Sequence, residues 1–197
     1  MNVGDHAYSV STARWVPMNH PRPAGHKPDD RSRSPRQEGT VPDTYNVVST
    51  RTFAAPAGEV WRAWQDPEHI KRWWGPHGFT VPVADLDFRV GGTSLVGMRA
   101  PAEYGGQDMF NTWTYRRIEP TSLLEFDLAF TDASGTRVAS PPGVPNDVRH
   151  VITFVPGTDG RTMLTVTEFG YADEQARDMS KAGLEQCLDK MTDLLES

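Results

Sequence analysis

The chain has 197 residues, a formal net charge of −6 and a single cysteine, Cys187. These totals leave room for one domain with a full core. They exclude a disulfide framework or a cysteine-based zinc site within one chain and argue against a nucleic-acid partner. No stretch approaches the roughly 20 apolar residues of a membrane span, and the N-terminus lacks the apolar segment of a signal peptide, so a cytoplasmic protein with no membrane partner is expected.

Residues 1–43 differ in kind from the rest. Six of the 16 prolines and three of the six histidines fall there, and Arg31-Ser-Arg-Ser-Pro-Arg36 is a low-complexity basic run. This composition predicts a disordered Pro/Arg/His-rich tail. Tyr8, Val10, Trp15, Val16 and Met18 are the apolar residues in it able to dock on a hydrophobic surface. The folded domain is expected over 44–197.

That domain opens with residues 44–53, whose β-branched and aromatic side chains predict a strand. Pro56 suits the first turn of a helix. Val60 and Trp64, four apart, share one face with Trp61 and Ala63 beside it. Asp66-Pro67 ends this helix and starts a second, which closes on Trp73-Trp74 and stops at Gly75-Pro76 and Gly78. Four of the six tryptophans lie within residues 56–79. Trp61 and Trp64 are read as anchors of the first helix, and Trp73 and Trp74 as the mouth of a pocket.

Strands follow. Leu86, Phe88 and Val90 alternate with Asp85, Asp87 and Arg89 across residues 79–90, a half-buried period of two. Gly91-Gly92 marks a turn, and residues 93–100 form a strand with Val96 and Met98 on one face. After a loop at 101–106, residues 107–118 place Met109, Asn111, Trp113 and Tyr115 together. Residues 122–131 do the same for Leu124, Phe126, Leu128 and Phe130. Residues 132–147, with Pro141-Pro142, read as a long mobile loop. Residues 148–155 and 162–170 form a hairpin. From Asp173 the pattern is helical, with Leu184, Leu188, Met191 and Leu195 in one stripe and Met179, Gly183 and Cys187 beside it. The fold class is α+β. A seven-stranded curved antiparallel sheet is covered by two short helices and a long C-terminal helix. Because a twisted sheet cannot touch a straight helix everywhere, the two enclose a cavity.

The face shared by Phe88, Met98, Met109, Trp113, Tyr115, Phe126 and Phe130 is the best-founded candidate for binding a bulky hydrophobic molecule. Flat aromatic surfaces with a polar handle suit polycyclic ligands, and methionines adapt to irregular ones. Trp73, Trp74, Gly183 and Cys187 complete the expected lining. If Phe154 pairs with Leu164, the register sets His150 opposite Glu168 on the cavity face, a pair suited to acid/base work. Arg89, Arg99, Tyr104 and Asn111 are candidates to orient a ligand's polar groups. His69 and His77 lack metal-ligand spacing, and no phosphate-binding, nucleophile-elbow or dinucleotide motif occurs. No metal and no cofactor are expected, and the partner is a small molecule bound by a monomer or weak dimer.

Arg51-Thr-Phe-Ala-Ala-Pro56, Val60-Trp61, Asp66-Pro-Glu-His69, Trp73-Trp-Gly-Pro76 and Arg89-Val-Gly-Gly92 resemble the SRPBCC superfamily. So do Met98-Arg-Ala-Pro101, Ile118-Glu-Pro120, Val151-Ile-Thr-Phe154 and Thr162-Met-Leu-Thr165. The branch they look like is the one named for homology to the activator of the heat-shock-protein-90 ATPase, and the likeness spans residues 44–197. It implies a START-like helix-grip fold with a deep apolar pocket. Functions on that fold include lipid and polyketide binding, aromatase/cyclase catalysis and co-chaperone activity. The Trp-Trp-Gly-Pro segment, the aromatic faces and the Arg/Pro-rich tail are similar to a subgroup that protects enediyne producers by binding the antibiotic and sacrificing its own backbone. Under that resemblance Gly97, Gly105 and Gly106 are candidate sites of hydrogen abstraction. Many members carry a Gly-Trp pair in the last helix where this chain has Cys187-Leu188, a change that alters the pocket floor.

Overall fold

A computed structural model describes residues 44–197, so the tail expected over 1–43 lies outside the described residues. Strand β1 (Tyr45–Phe53) leads into helix α1 (Ala57–Gln65) and helix α2 (Pro67–Trp73). Strands β2 (Thr80–Asp85), β3 (Thr93–Arg99), β4 (Asp108–Glu119), β5 (Leu123–Thr131), β6 (Val148–Pro156) and β7 (Thr162–Tyr171) follow. Helix α3 (Glu174–Leu195) ends the domain. All seven strands form one sheet in the order β1-β7-β6-β5-β4-β3-β2, antiparallel throughout. The connection through α1 and α2 therefore carries the chain from one edge of the sheet to the other.

The helix ends follow from local chemistry. Asp66 closes α1 and caps α2: its carboxylate accepts from the Glu68 N–H at 3.0 Å, and Pro67 occupies the first turn, where its missing donor costs nothing. Asp173 caps α3 in the same way, accepting from Ala176 N–H at 2.8 Å. Arg51 of edge strand β1 reaches across to α3, donating to Asp189 at 2.6 Å and Glu185 at 2.9 Å. This fork ties the C-terminal half of the helix to the sheet.

Two expectations need correction. The strand predicted over 79–90 stops at Asp85. Residues 86–92 turn instead, with Arg89 N–H donating to Asp87 O and Gly92 N–H to Arg89 O, each at 2.8 Å. The turn still packs the half-buried Phe88 ring against Trp61 and Tyr115 and leaves Val90 in solvent. Alternating residues here satisfy a turn as well as a strand. The loop expected to be mobile over 132–147 is anchored along its length. The Asp132 carboxylate accepts from the backbone of Ser134 and Thr136, Arg137 pairs with Asp147, Ser140 donates to Val144 O, and Ala172 N–H donates to Gly143 O at 2.8 Å. Gly143 has φ +78°, and a Cβ there would stand 2.7 Å from Ala176 Cβ, so only glycine lets the loop lie this close to α3.

The concave face of the sheet splits into two halves. Under α1 and α2 it is filled by aromatic rings. Trp64 meets Trp73 edge-on at 4.7 Å, Trp74 meets Trp113 at 4.7 Å, and Trp113 stacks on Phe126 at 4.9 Å. Each such contact contributes about 1 kcal/mol beyond the area it buries. The Trp73 indole also donates to Ala63 O at 2.8 Å, locking α2 to α1. Under the N-terminal half of α3 the rings give out, and the space stays open.

Candidate functional site

That open space is a cavity of about 550 Å³. Its floor is the concave face of β4 to β7, contributing Asn111, Leu128, Phe130, Val148, His150 and Glu168. Its roof is α3, where Ala176, Ser180, Gly183, Leu184 and Cys187 look down at one-turn intervals. Trp74, Gly75 and Pro76, with Met98, form one side; Pro141, Pro142 and Val144 of the anchored loop form the other. Met179, at the mouth, is exposed.

The wall at Trp74–Pro76 is irregular backbone, held by one side chain. The Lys190 ammonium donates to the carbonyls of Trp74, Gly75 and Phe79 at 3.2, 3.0 and 3.2 Å. Burial lowers the pKa of this amine, and the three carbonyls take the place of the water it gives up.

One end of the cavity is polar. The hairpin register pairs Phe154 with Leu164, Ile152 with Val166 and His150 with Glu168, so the juxtaposition expected from the sequence is the observed one. His150 Nε2 lies 3.3 Å from Glu168 Oε1, and both side chains are buried. His150 Nδ1 is 2.9 Å from Val148 O, which only accepts, so Nδ1 carries a hydrogen. That leaves Nε2 as the ring nitrogen facing the Glu168 carboxylate. The Tyr171 hydroxyl donates to Glu168 Oε2 at 2.5 Å and the Ser180 hydroxyl at 2.7 Å. Burial by itself would raise the Glu168 pKa. The hydrogen bond and charge of His150, helped by Tyr171 and Ser180, outweigh it and hold the carboxyl below its ordinary value. The His150 ring also stacks on Phe126 at 4.7 Å and 10°. The cluster is thus fixed in place, with its donors and acceptors spent on one another.

The cavity brings together Trp74, Met98, Phe130, Gly183 and Cys187 from the expected lining, along with Asn111, His150 and Glu168. The other expected residues lie elsewhere. Trp73, Trp113, Tyr115 and Phe126 are buried in the aromatic core, where burial pushes the Tyr115 phenol up to about 12. Phe88 packs at the far end against Trp61. Met109, toward the β4 terminus, is exposed. The same strand face runs from core to cavity, so period two tells which face a ring takes but not which half. Gly97 sits on the opposite face of β3, where a Cβ would touch the Phe110 ring at 2.6 Å. Gly105 and Gly106 belong to the left-handed turn before β4. None of the three glycines borders the cavity; Gly75 and Gly183 do. Arg89 and Arg99 pair with Asp87 and Asp108 at the surface, and Tyr104 is exposed.

Sequence reasoning missed Tyr171, Ser180 and the Pro141–Val144 segment. Tyr171 and Ser180 lie nine apart, in a strand end and a helix, and no local pattern joins them. The Cys187 thiol is pushed up to about 12, chiefly by burial. It is protonated at neutral pH and a poor nucleophile. No group of three or more metal-ligating side chains converges among the described residues, and no helix among them is long and apolar enough to cross a membrane.

Residues 54–196 match the sequence profile of the family described as Activator of Hsp90 ATPase homolog 1-like protein. Among solved structures, protein CV1439 of Chromobacterium violaceum is similar at 28% identity and a TM-score of 0.65, covering 77% of this chain and 97% of its own. Protein Ms6760 of Mycobacterium smegmatis shares the fold at 24% identity, TM-score 0.63, covering 76% and 90%. The AHSA1 protein of Silicibacter pomeroyi does so at 20%, TM-score 0.64, covering 77% and 98%. No curated protein matches the chain.

Proposed function

Since the chain belongs to the family of Activator of Hsp90 ATPase homolog 1-like proteins, within the SRPBCC superfamily, we propose that it binds and sequesters a bulky, mainly apolar small molecule in its helix-grip cavity. The observation that carries this reading is the cavity itself: about 550 Å³ between α3 and the sheet, walled by leucine, phenylalanine, valine and proline side chains. That is the size and character of a small-molecule site. Sequestration is favoured over turnover because the polar groups at the cavity end are paired with one another and the one thiol is protonated. The test is titration with Nile red, a neutral polycyclic dye. Saturable, blue-shifted emission that a polyketide competes away supports the reading; emission unchanged from buffer rejects it.

The biological form of this activity that we propose is antibiotic self-resistance, with an enediyne or related polyketide as ligand. Gly75 and Gly183 support its sacrificial version, since both border the cavity and glycine α-hydrogens are open to abstraction. Incubation with an activated enediyne should give fragments broken at Gly75 or Gly183 by mass spectrometry. An intact chain, despite binding, would leave sequestration alone.

A second reading rests on His150 and Glu168, a buried acid/base pair in the cavity wall. It makes the protein an aromatase/cyclase-like enzyme, and equal turnover of a poly-β-ketone by wild type and His150→Ala would dispose of it. The family name alone supports stimulation of an Hsp90-type ATPase, which a direct ATPase assay would decide.

A further inference from the structure

Asn111 has a side chain whose orientation is settled by its neighbour. It lies on β4, only 3% exposed, in the floor of the cavity. Its Oδ1 accepts from the Trp113 indole N–H at 2.7 Å. An indole nitrogen only donates, so the amide cannot be turned the other way. The two N–H donors of Asn111 are therefore directed away from Trp113, and they have no partner among the described residues. Nor are they sealed in protein, as the unpaired Trp64 indole nitrogen is; they open onto the cavity. The cross-strand partners of Asn111 are apolar, Phe130 on β5 and Val96 on β3, and Met98 joins it in the cavity lining.

The charge of the cavity adds a second constraint. No lysine or arginine lines it, whereas the carboxylates of Glu168 and Asp173 do. The ammonium behind the Trp74–Pro76 wall, Lys190, is spent on three backbone carbonyls. The charge of His150 is already spent on Glu168, so an anionic ligand would leave water to meet like charge and no free counter-ion.

Building on the cavity-binder reading above, we propose that the ligand is a neutral polycyclic ketone or quinone, and that Asn111 selects it by donating to a ring carbonyl oxygen. A ligand of the same shape without that oxygen displaces the water from the Asn111 donors and gives nothing back. A site built this way discriminates against the analogue lacking the acceptor.

Three probes of one skeleton test this with the full chain: aloe-emodin, a neutral anthraquinone; rhein, its carboxylate counterpart; and anthracene, which has no oxygen. Wild type should bind aloe-emodin roughly tenfold tighter than anthracene, and rhein roughly tenfold more weakly than aloe-emodin. Asn111→Asp keeps the acceptor for Trp113 but removes both donors; Asn111→Leu removes donor and acceptor. Both should bring the aloe-emodin preference over anthracene close to one, with anthracene affinity little changed. Aloe-emodin and anthracene binding alike to wild type, or an undiminished preference in the variants, overturns the role of Asn111. Tight binding of rhein overturns the exclusion of anions. If none of the probes binds wild type, the cavity-binder reading itself falls. The wild-type ratios decide even where a variant fails to fold.

Discussion

Glu168 shows how much one position decides here. It receives His150, Tyr171 and Ser180 and has almost no solvent. Its pKa is held below the ordinary carboxylate value in the fold, so its contribution to stability is present above the unfolded pKa of about 4.3 and is lost as pH falls through the lower folded value. Denaturant titrations between neutral pH and about pH 3 should therefore show wild type losing stability to acid more steeply than Glu168→Gln. The variant should be weaker at neutral pH by about 2 kcal/mol, because it leaves buried partners mismatched. Parallel acid profiles would show that Glu168 carries no such linkage. The pairing of His150 with Glu168 was legible in the sequence because period-two alternation and a short hairpin connection fix register. The assignment of Trp113, Tyr115 and Phe126 to the cavity was not. Whether an inward ring meets another ring or empty space depends on where α3 crosses the sheet, and a strand's own residues do not encode that.

Among the elements, the connections carry the new information. The stretch between α2 and β2 is a wall of the cavity, and its carbonyls converge on Lys190. Lys190→Met should keep the methylene packing, leave three carbonyls without their donor and destabilise the domain by about 2 kcal/mol. The same variant should weaken Nile red binding several-fold while leaving the β4–β5 turn end of the sheet unchanged in amide exchange. A loss of protection spread evenly over the sheet would deny Lys190 this local role. The β4–β5 turn holds the one non-glycine residue of positive φ among those described, Thr121 at 62°. A β-branched residue is strained there, so Thr121→Gly should raise stability by about 1 kcal/mol in thermal unfolding, and a lower Tm would contradict that strain. The lengths of the elements other than β2 were readable within a few residues, since caps, prolines and periodicity mark them. The anchoring of residues 132–147 was not, because it depends on Gly143 meeting Ala176 of a helix far along the chain.

For the whole molecule, the order of strand, two helices, six strands and long helix already implies the grip of α3 across a curved sheet, and the sheet and helices have that order. The tryptophan-rich helix pair turns out to fill rather than to open. Trp61, Trp64 and Trp73 close one half of the concave face, and only Trp74 reaches the half that stays empty. The fold thereby separates a rigid aromatic end, which stabilises the sheet, from a hollow end under the start of α3, which is left for a ligand.

The hollow end is most directly tested by plugging it. Gly183 lies on the roof, and the one atom within 4 Å of a Cβ placed there is Pro76 Cγ, at 3.8 Å. Gly183→Phe should be accommodated at no cost to folding, as circular dichroism and thermal unfolding will report, with its ring lying in the cavity. Calorimetric titration with aloe-emodin should give one saturable site in wild type and none in the folded variant. Equal binding by the two would contradict the claim that the cavity is the site.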